Sequence, residues 1–91
     1  MLADAVQSYL SVRRVAGFAL KEAGIHLRDF AAYSDAKGQG YLNAPTAIEW
    51  ARQSSSLPQR ARRLGDVVRF ARYLHAEDER HEIPPAVFGS E

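Results

Sequence analysis

The sequence has no cysteine, which excludes a disulfide framework, a thiolate metal site and a cysteine nucleophile together. Histidine is scarce. His26, His75 and His81 are the three present, none pairs with another histidine or a carboxylate in a zinc-binding spacing, and no metal is expected. Also missing are a glycine-rich phosphate loop, a Gly-x-Ser-x-Gly turn, a His-Glu-x-x-His helix, and two carboxylates in an apolar setting that would push their pKa values apart. No catalytic residue and no cofactor are therefore expected. There is no long apolar run, and Met1-Leu2-Ala3-Asp4 carries an acid at its fourth position, so neither a signal peptide nor a membrane-spanning helix is predicted. The expected location is the cytoplasm, with no membrane partner.

What is present suits one small packed domain: 91 residues, 46% hydrophobic and 25% charged. The formal net charge of +1 conceals a segregation along the chain. Residues 57 to 76 hold Arg60, Arg62, Arg63, Arg69 and Arg72 against Asp66, a local balance of +4, whereas residues 77 to 82 set Glu77, Asp78, Glu79 and Glu82 against Arg80, a local balance of -3.

Apolar spacing predicts four helices and no strand. The first runs from Leu2 to about Arg14, with Leu2, Ala5, Val6, Tyr9 and Leu10 on one face, and stops near Gly17. The second runs from about Phe18 to Lys37, burying Leu20, Ala23, Leu27, Phe30, Ala31 and Ser34, with Gly38 as its stop. Residues 38 to 45 form a loop on their glycine and proline content. A short third helix is expected from about Thr46 to Gln53, with Thr46 as N-cap and Glu49 completing a capping box. A fourth starts beyond the Ser54-Ser55-Ser56 break, with Pro58 in its first turn, and runs to about Ala76. Ile83-Pro84-Pro85-Ala86-Val87-Phe88-Gly89 is expected as an extended connector. The fold class is all-α, a bundle of four helices around one core.

On a wheel at 100° per residue, the fourth helix places Leu64, Val67, Phe70, Ala71 and Leu74 on one side. Arg62, Gly65, Asp66, Arg69, Arg72 and Tyr73 point the other way. Arginine suits forked contacts with phosphates and guanine edges, a major groove admits a helix, and Gly65 would let the backbone come close. The competing reading makes Arg62, Asp66 and Arg69 a solvated ladder, worth about 0.2 to 0.5 kcal/mol per pair. Ile25 falls on the outer side of the second helix between Lys21 and Arg28. His26 is expected at the surface, His75 at the edge of the core, Trp50 and Phe70 inside it, and the acids from Glu77 to Glu82 at a fraying helix end.

The order of these features carries a resemblance. Tyr9-Leu10, Arg13-Arg14, Gly17-Phe18, Leu27-Arg28-Asp29-Phe30, the Gly38 stop, Thr46 with Trp50-Ala51, Arg62-Arg63-Leu64, Val68-Arg69-Phe70-Ala71, Tyr73-Leu74 and Pro84-Pro85 together resemble the N-terminal core-binding domain of tyrosine recombinases, the phage-integrase and Xer-like group. The resemblance spans about Leu2 to Phe88. It implies a SAM-like helical domain forming half of a C-shaped clamp on double-stranded DNA, with the second and fourth helices facing the major groove. It places the DNA contacts on Lys21, Arg28, Arg60, Arg62, Arg63 and Arg69. Chemistry in that family belongs to a separate catalytic domain, so residues 1–82 are expected to be the core-binding domain and residues 83–91 a connector toward a catalytic domain that this chain does not contain. Phe18-Ala19-Leu20 departs from the family, whose members often carry Ser or Thr there to hold phosphates.

The expected function is DNA binding within site-specific recombination and DNA integration, with no catalysis by this chain. The expected partners are double-stranded DNA, the catalytic domain of a parent recombinase and other recombinase protomers on DNA. Two alternatives remain: a helical module that binds protein, and a helix-turn-helix regulator built from the third and fourth helices. The connection from Ser54 to Pro58 is longer than the usual helix-turn-helix turn and argues against the latter.

Overall fold

The computed structural model describes residues 1–17 and 20–89. Four helices follow one another, α1 (Leu2–Val15), α2 (Lys21–Ala36), α3 (Ala44–Arg52) and α4 (Leu57–Glu77), and no strand occurs among the described residues. The protein is an all-α four-helix bundle. Helix α2 packs on each of the other three, α4 does the same, and α1 and α3 do not touch. The central pair therefore fixes the fold.

The core is built from the predicted apolar stripes. Leu2, Val6 and Leu10 of α1, Leu27 and Phe30 of α2, Trp50 of α3, and Leu64, Val67 and Phe70 of α4 are all nearly inaccessible to solvent. Full burial of such a side chain contributes about 1.5 to 3 kcal/mol. Trp50 meets the Phe30 ring edge-on at 5.4 Å between centroids and donates its indole N–H to Asp29 Oδ2 at 2.8 Å, so its polar atom is satisfied at the rim.

The helix ends show what spacing alone could not. Helix α1 has no capping side chain in its own sequence. The amides of Leu2 and Ala3 donate instead to the two carboxylate oxygens of Asp35, at 3.1 and 3.3 Å, which brings a negative charge from the end of α2 to the positive end of α1. The predicted glycine stop of α2 is observed. Gly38 adopts φ +73, with its amide donating to Asp35 O at 2.9 Å and that of Gln39 to Ser34 O at 3.4 Å, the paired bonds of a Schellman motif. The start of α2 expected at Phe18 and Ala19 lies outside the described residues; Leu20, the observed N-cap of this helix, has φ 50.

The predicted start of α3 is corrected. Asn43, not Thr46, is the N-cap: its Oδ1 accepts from the Thr46 amide at 3.1 Å, and Pro45 falls in the first turn. Glu49 does not close a capping box. It binds the Lys37 ammonium at 3.0 Å and accepts from the Tyr33 hydroxyl, and these bonds, that of Tyr33 first, hold its carboxyl below the usual carboxylate range. Helix α4 begins as predicted, with Ser56 Oγ accepting from the Gln59 amide at 3.2 Å.

The acidic stretch after α4 is a clip and not a frayed end. Glu82 donates its amide to Leu42 O at 2.9 Å, and its Oε1 accepts from the Ala44 amide at 2.8 Å. Nδ1 of His81 accepts from the Leu42 amide at 3.1 Å, while Nδ1 of His75 donates to the His81 carbonyl at 2.8 Å. Arg80 pairs with Asp78 at 2.8 Å and its guanidinium lies 4.4 Å from the Tyr41 ring centroid. The following segment contains no helix, as expected, but it is docked: Pro84 is buried, and half-buried Phe88 packs on the core.

Candidate nucleic-acid interface

On α2, Lys21, Ile25 and Arg28 recur at the spacing of one helical face, and all three are exposed, Ile25 to 66%. Arg28 folds back over Gly24, which is buried; a β-carbon on Gly24 would lie 3.2 Å from Arg28 Nη1. On α4, Arg62, Arg69 and Arg72 are exposed. Lys21, Arg28, Arg62 and Arg72 make no hydrogen bond or ion pair among the described residues, so their charges are offered to solvent.

The two helices are joined by a polar seam. His26 Nδ1 lies 2.7 Å from Asp66 Oδ2, and His26 Nε2 lies 3.4 Å from the Gln59 side-chain amide. Asp66 Oδ1 also accepts from Arg69 Nη2 at 2.7 Å. Gln59, Arg62, Asp66 and Arg69 share one face of α4 by their spacing, so the seam sets Arg62 and Arg69 beside α2. His26, expected at the surface, is buried to 7% exposure, and His75, expected at the edge of the core, is exposed. The reason is the crossing of α2 and α4, which covers the His26 side of α2 with polar groups that an apolar wheel does not register.

The six basic residues singled out by the resemblance divide by position. Lys21, Arg28 and Arg62 are exposed, and Arg69 is exposed and paired with Asp66. Arg60 and Arg63 are half-buried and turned to the protein. Arg60 Nε donates to the Ser54 carbonyl at 2.7 Å and closes the α3–α4 turn, and the Arg63 guanidinium lies 5.1 Å from the Trp50 ring centroid. Their inward position was legible, since both fall on the Leu64–Val67–Phe70 side of the wheel. Gly65, expected outside among the arginines, is buried. It lines a hollow of about 190 Å³ with Ala61, Leu64, Val68 and Arg72 of α4 and with Ala86 and Gly89 of the returning segment.

Among the described residues, no three His, Asp or Glu side chains gather to hold a metal ion, and no helix is long and apolar enough to cross a membrane. The α3–α4 connection, Gln53 to Ser56, is four residues, shorter than the sequence predicted.

No protein-family model and no solved structure matches the chain. Over 85 residues, 91% of its length, the chain is 44% identical to a protein of Sinorhizobium fredii (strain NBRC 101917 / NGR234) named "Putative integrase/recombinase y4rB". It spans 27% of the length of that relative. The likeness thus links nearly all of this helical bundle to one segment of a protein named for integration and recombination.

Proposed function

We propose that the chain is a DNA-binding module of the SAM-like, core-binding type, acting in site-specific recombination as part of a tyrosine recombinase and contributing no catalytic residue of its own. The observation that carries the reading is that the exposed cations Lys21 and Arg28 of α2 and Arg62 of α4 have no internal carboxylate partner. Cations held on rigid helices and not neutralised internally gain by releasing the counterions condensed on a duplex. Arg69 joins them from one end of the Asp66 pair, and Ile25 offers an apolar contact of the kind a thymine methyl accepts. Arg60 and Arg63 serve by holding the α3–α4 turn and Trp50. The segment from Ile83 onward acts as the connector toward a catalytic domain, and other protomers on the same DNA are the further partners. The likeness to a protein named integrase/recombinase supports the setting in recombination.

The reading is tested by titrating a labelled duplex with the protein at several salt concentrations. Three to five phosphate contacts give log affinity against log salt a slope of roughly -3 to -4.5. Changing Arg28 and Arg62 together to Ala should make the slope shallower by about 2 while thermal unfolding stays near that of the parent. Salt-independent binding, or equal binding by the double variant, would reject this face.

A second reading is favoured by the four-residue turn between α3 and α4, which has the length used in helix-turn-helix proteins. That arrangement confines base contacts to α4. Substitution of Lys21 and Arg28 alone separates the two, since it weakens binding only if α2 also meets the duplex.

A further inference from the structure

A groove of about 420 Å³ runs between α1 and α4, lined by Tyr9, Val12, Arg13, Arg69, Arg72 and Tyr73. Half of its lining residues are arginines and none is acidic. The Tyr9 and Tyr73 rings meet edge-on at 5.1 Å, and the Arg13 guanidinium lies 6.0 Å from the Tyr9 centroid, so two helices hold the aromatic walls and one cation in register. Arg72 is exposed and makes no hydrogen bond or ion pair among the described residues. Guanidinium groups present paired donors to phosphate oxygens, and a concave wall keeps part of the solvent away from that contact.

We propose that the α1–α4 groove is a phosphate clamp, taking the second sugar-phosphate backbone of the same duplex that lies against Lys21, Arg28 and Arg62. This rests on the DNA-binding reading and adds a contact that Lys21, Arg28 and Arg62 do not provide. The dimensions favour one duplex over two. Arg62 and Arg72 are ten positions apart on an unbroken helix, a rise of about 15 Å, and they project about 80° apart around its axis. A major groove is about 12 Å wide. A helix lying across it sets Arg62 against one wall and Arg72, with Arg13 beside it, against the other.

The test is a salt titration of a labelled duplex of about 20 base pairs, comparing the parent chain with Arg72→Gln, with Arg13→Gln plus Arg72→Gln, and with Arg28→Gln plus Arg62→Gln. Each lost phosphate contact should make the slope of log affinity against log salt shallower by about 0.9, which at 0.1 M salt is a roughly eightfold loss of affinity. Arg72→Gln alone should show that change, and as a substitution at an exposed position it leaves the fold in place should the Arg13 double variant unfold. An unchanged slope for Arg72→Gln beside weakened binding by the Arg28 and Arg62 variant overturns the clamp and leaves the DNA reading standing. A parent chain without salt-sensitive duplex binding overturns both.

Discussion

His26 and Asp66, 40 positions apart, meet across the α2–α4 crossing with Nδ1 2.7 Å from Oδ2. The carboxylate is 12% exposed and serves two donors, His26 inside and Arg69 outside. It stabilises the junction of the two central helices and subtracts one positive charge from the proposed DNA face.

Those two roles predict effects of opposite sign. Asp66→Asn should lower the stability of the fold by about 1 to 3 kcal/mol, because partly buried hydrogen bonds to a charged group are weakened. It should tighten duplex binding by about 0.2 to 1 kcal/mol, the scale of one exposed charge pair. Urea unfolding and duplex titration on the same preparation check both. Loss of stability together with weaker binding would show that the carboxylate positions the face more than it opposes it.

Trp50 anchors α3 through its ring contacts, its bond to Asp29 and the Arg63 guanidinium over its face. Trp50→Phe should cost about 1 to 2 kcal/mol, the indole hydrogen bond and part of the cation–π contact. Trp50→Ala should cost about 3 to 5 kcal/mol, a large share of the stability of a domain this size. Thermal unfolding followed by circular dichroism reads the difference; equal losses in the two variants would mean that the polar partners carry most of the role of Trp50.

If Asn43 caps α3, Asn43→Ala costs about 1 kcal/mol and Asn43→Ser restores most of it. The substitution would be nearly silent were Thr46 the cap. Chemical denaturation midpoints decide between the two.

Arg80 beside Asp78 holds that carboxyl down to about 2, chiefly through the side-chain hydrogen bond. A carboxyl whose folded-state pKa lies below its unfolded value of 3.8 contributes its stabilisation above that value and loses it as pH falls toward about 2. The contact between residues 78 and 80 should therefore persist through mild acid. Carboxyl carbon shifts followed by NMR should show Asp78 titrating near pH 2, and Arg80→Gln should return it toward the ordinary carboxylate range.

The helical architecture was legible because apolar residues recur at the helical period, and that recurrence places Leu27, Phe30, Trp50, Val67 and Phe70 inside wherever the neighbouring helices lie. The Gly38 stop and the Ser56 cap were legible because their partners are three to five residues away. The cationic character of α4 was legible as well. Which of its arginines stay open was only half so: wheel position assigns Arg60 and Arg63 inward, but Arg69 is engaged by an acid whose other partner sits on α2.

By itself, then, the sequence determined an all-α bundle, its core stripes and an excess of arginine on the last helix, since each of these depends on residues within a few turns of one another. The tertiary structure alone decided that Asp35 caps α1, that His26 is buried against Asp66, that the acidic stretch clips the loop before α3, and that Gly65 is covered. Those contacts join residues more than twenty positions apart. Their formation depends on how the helices cross and where the chain returns, which no local period encodes.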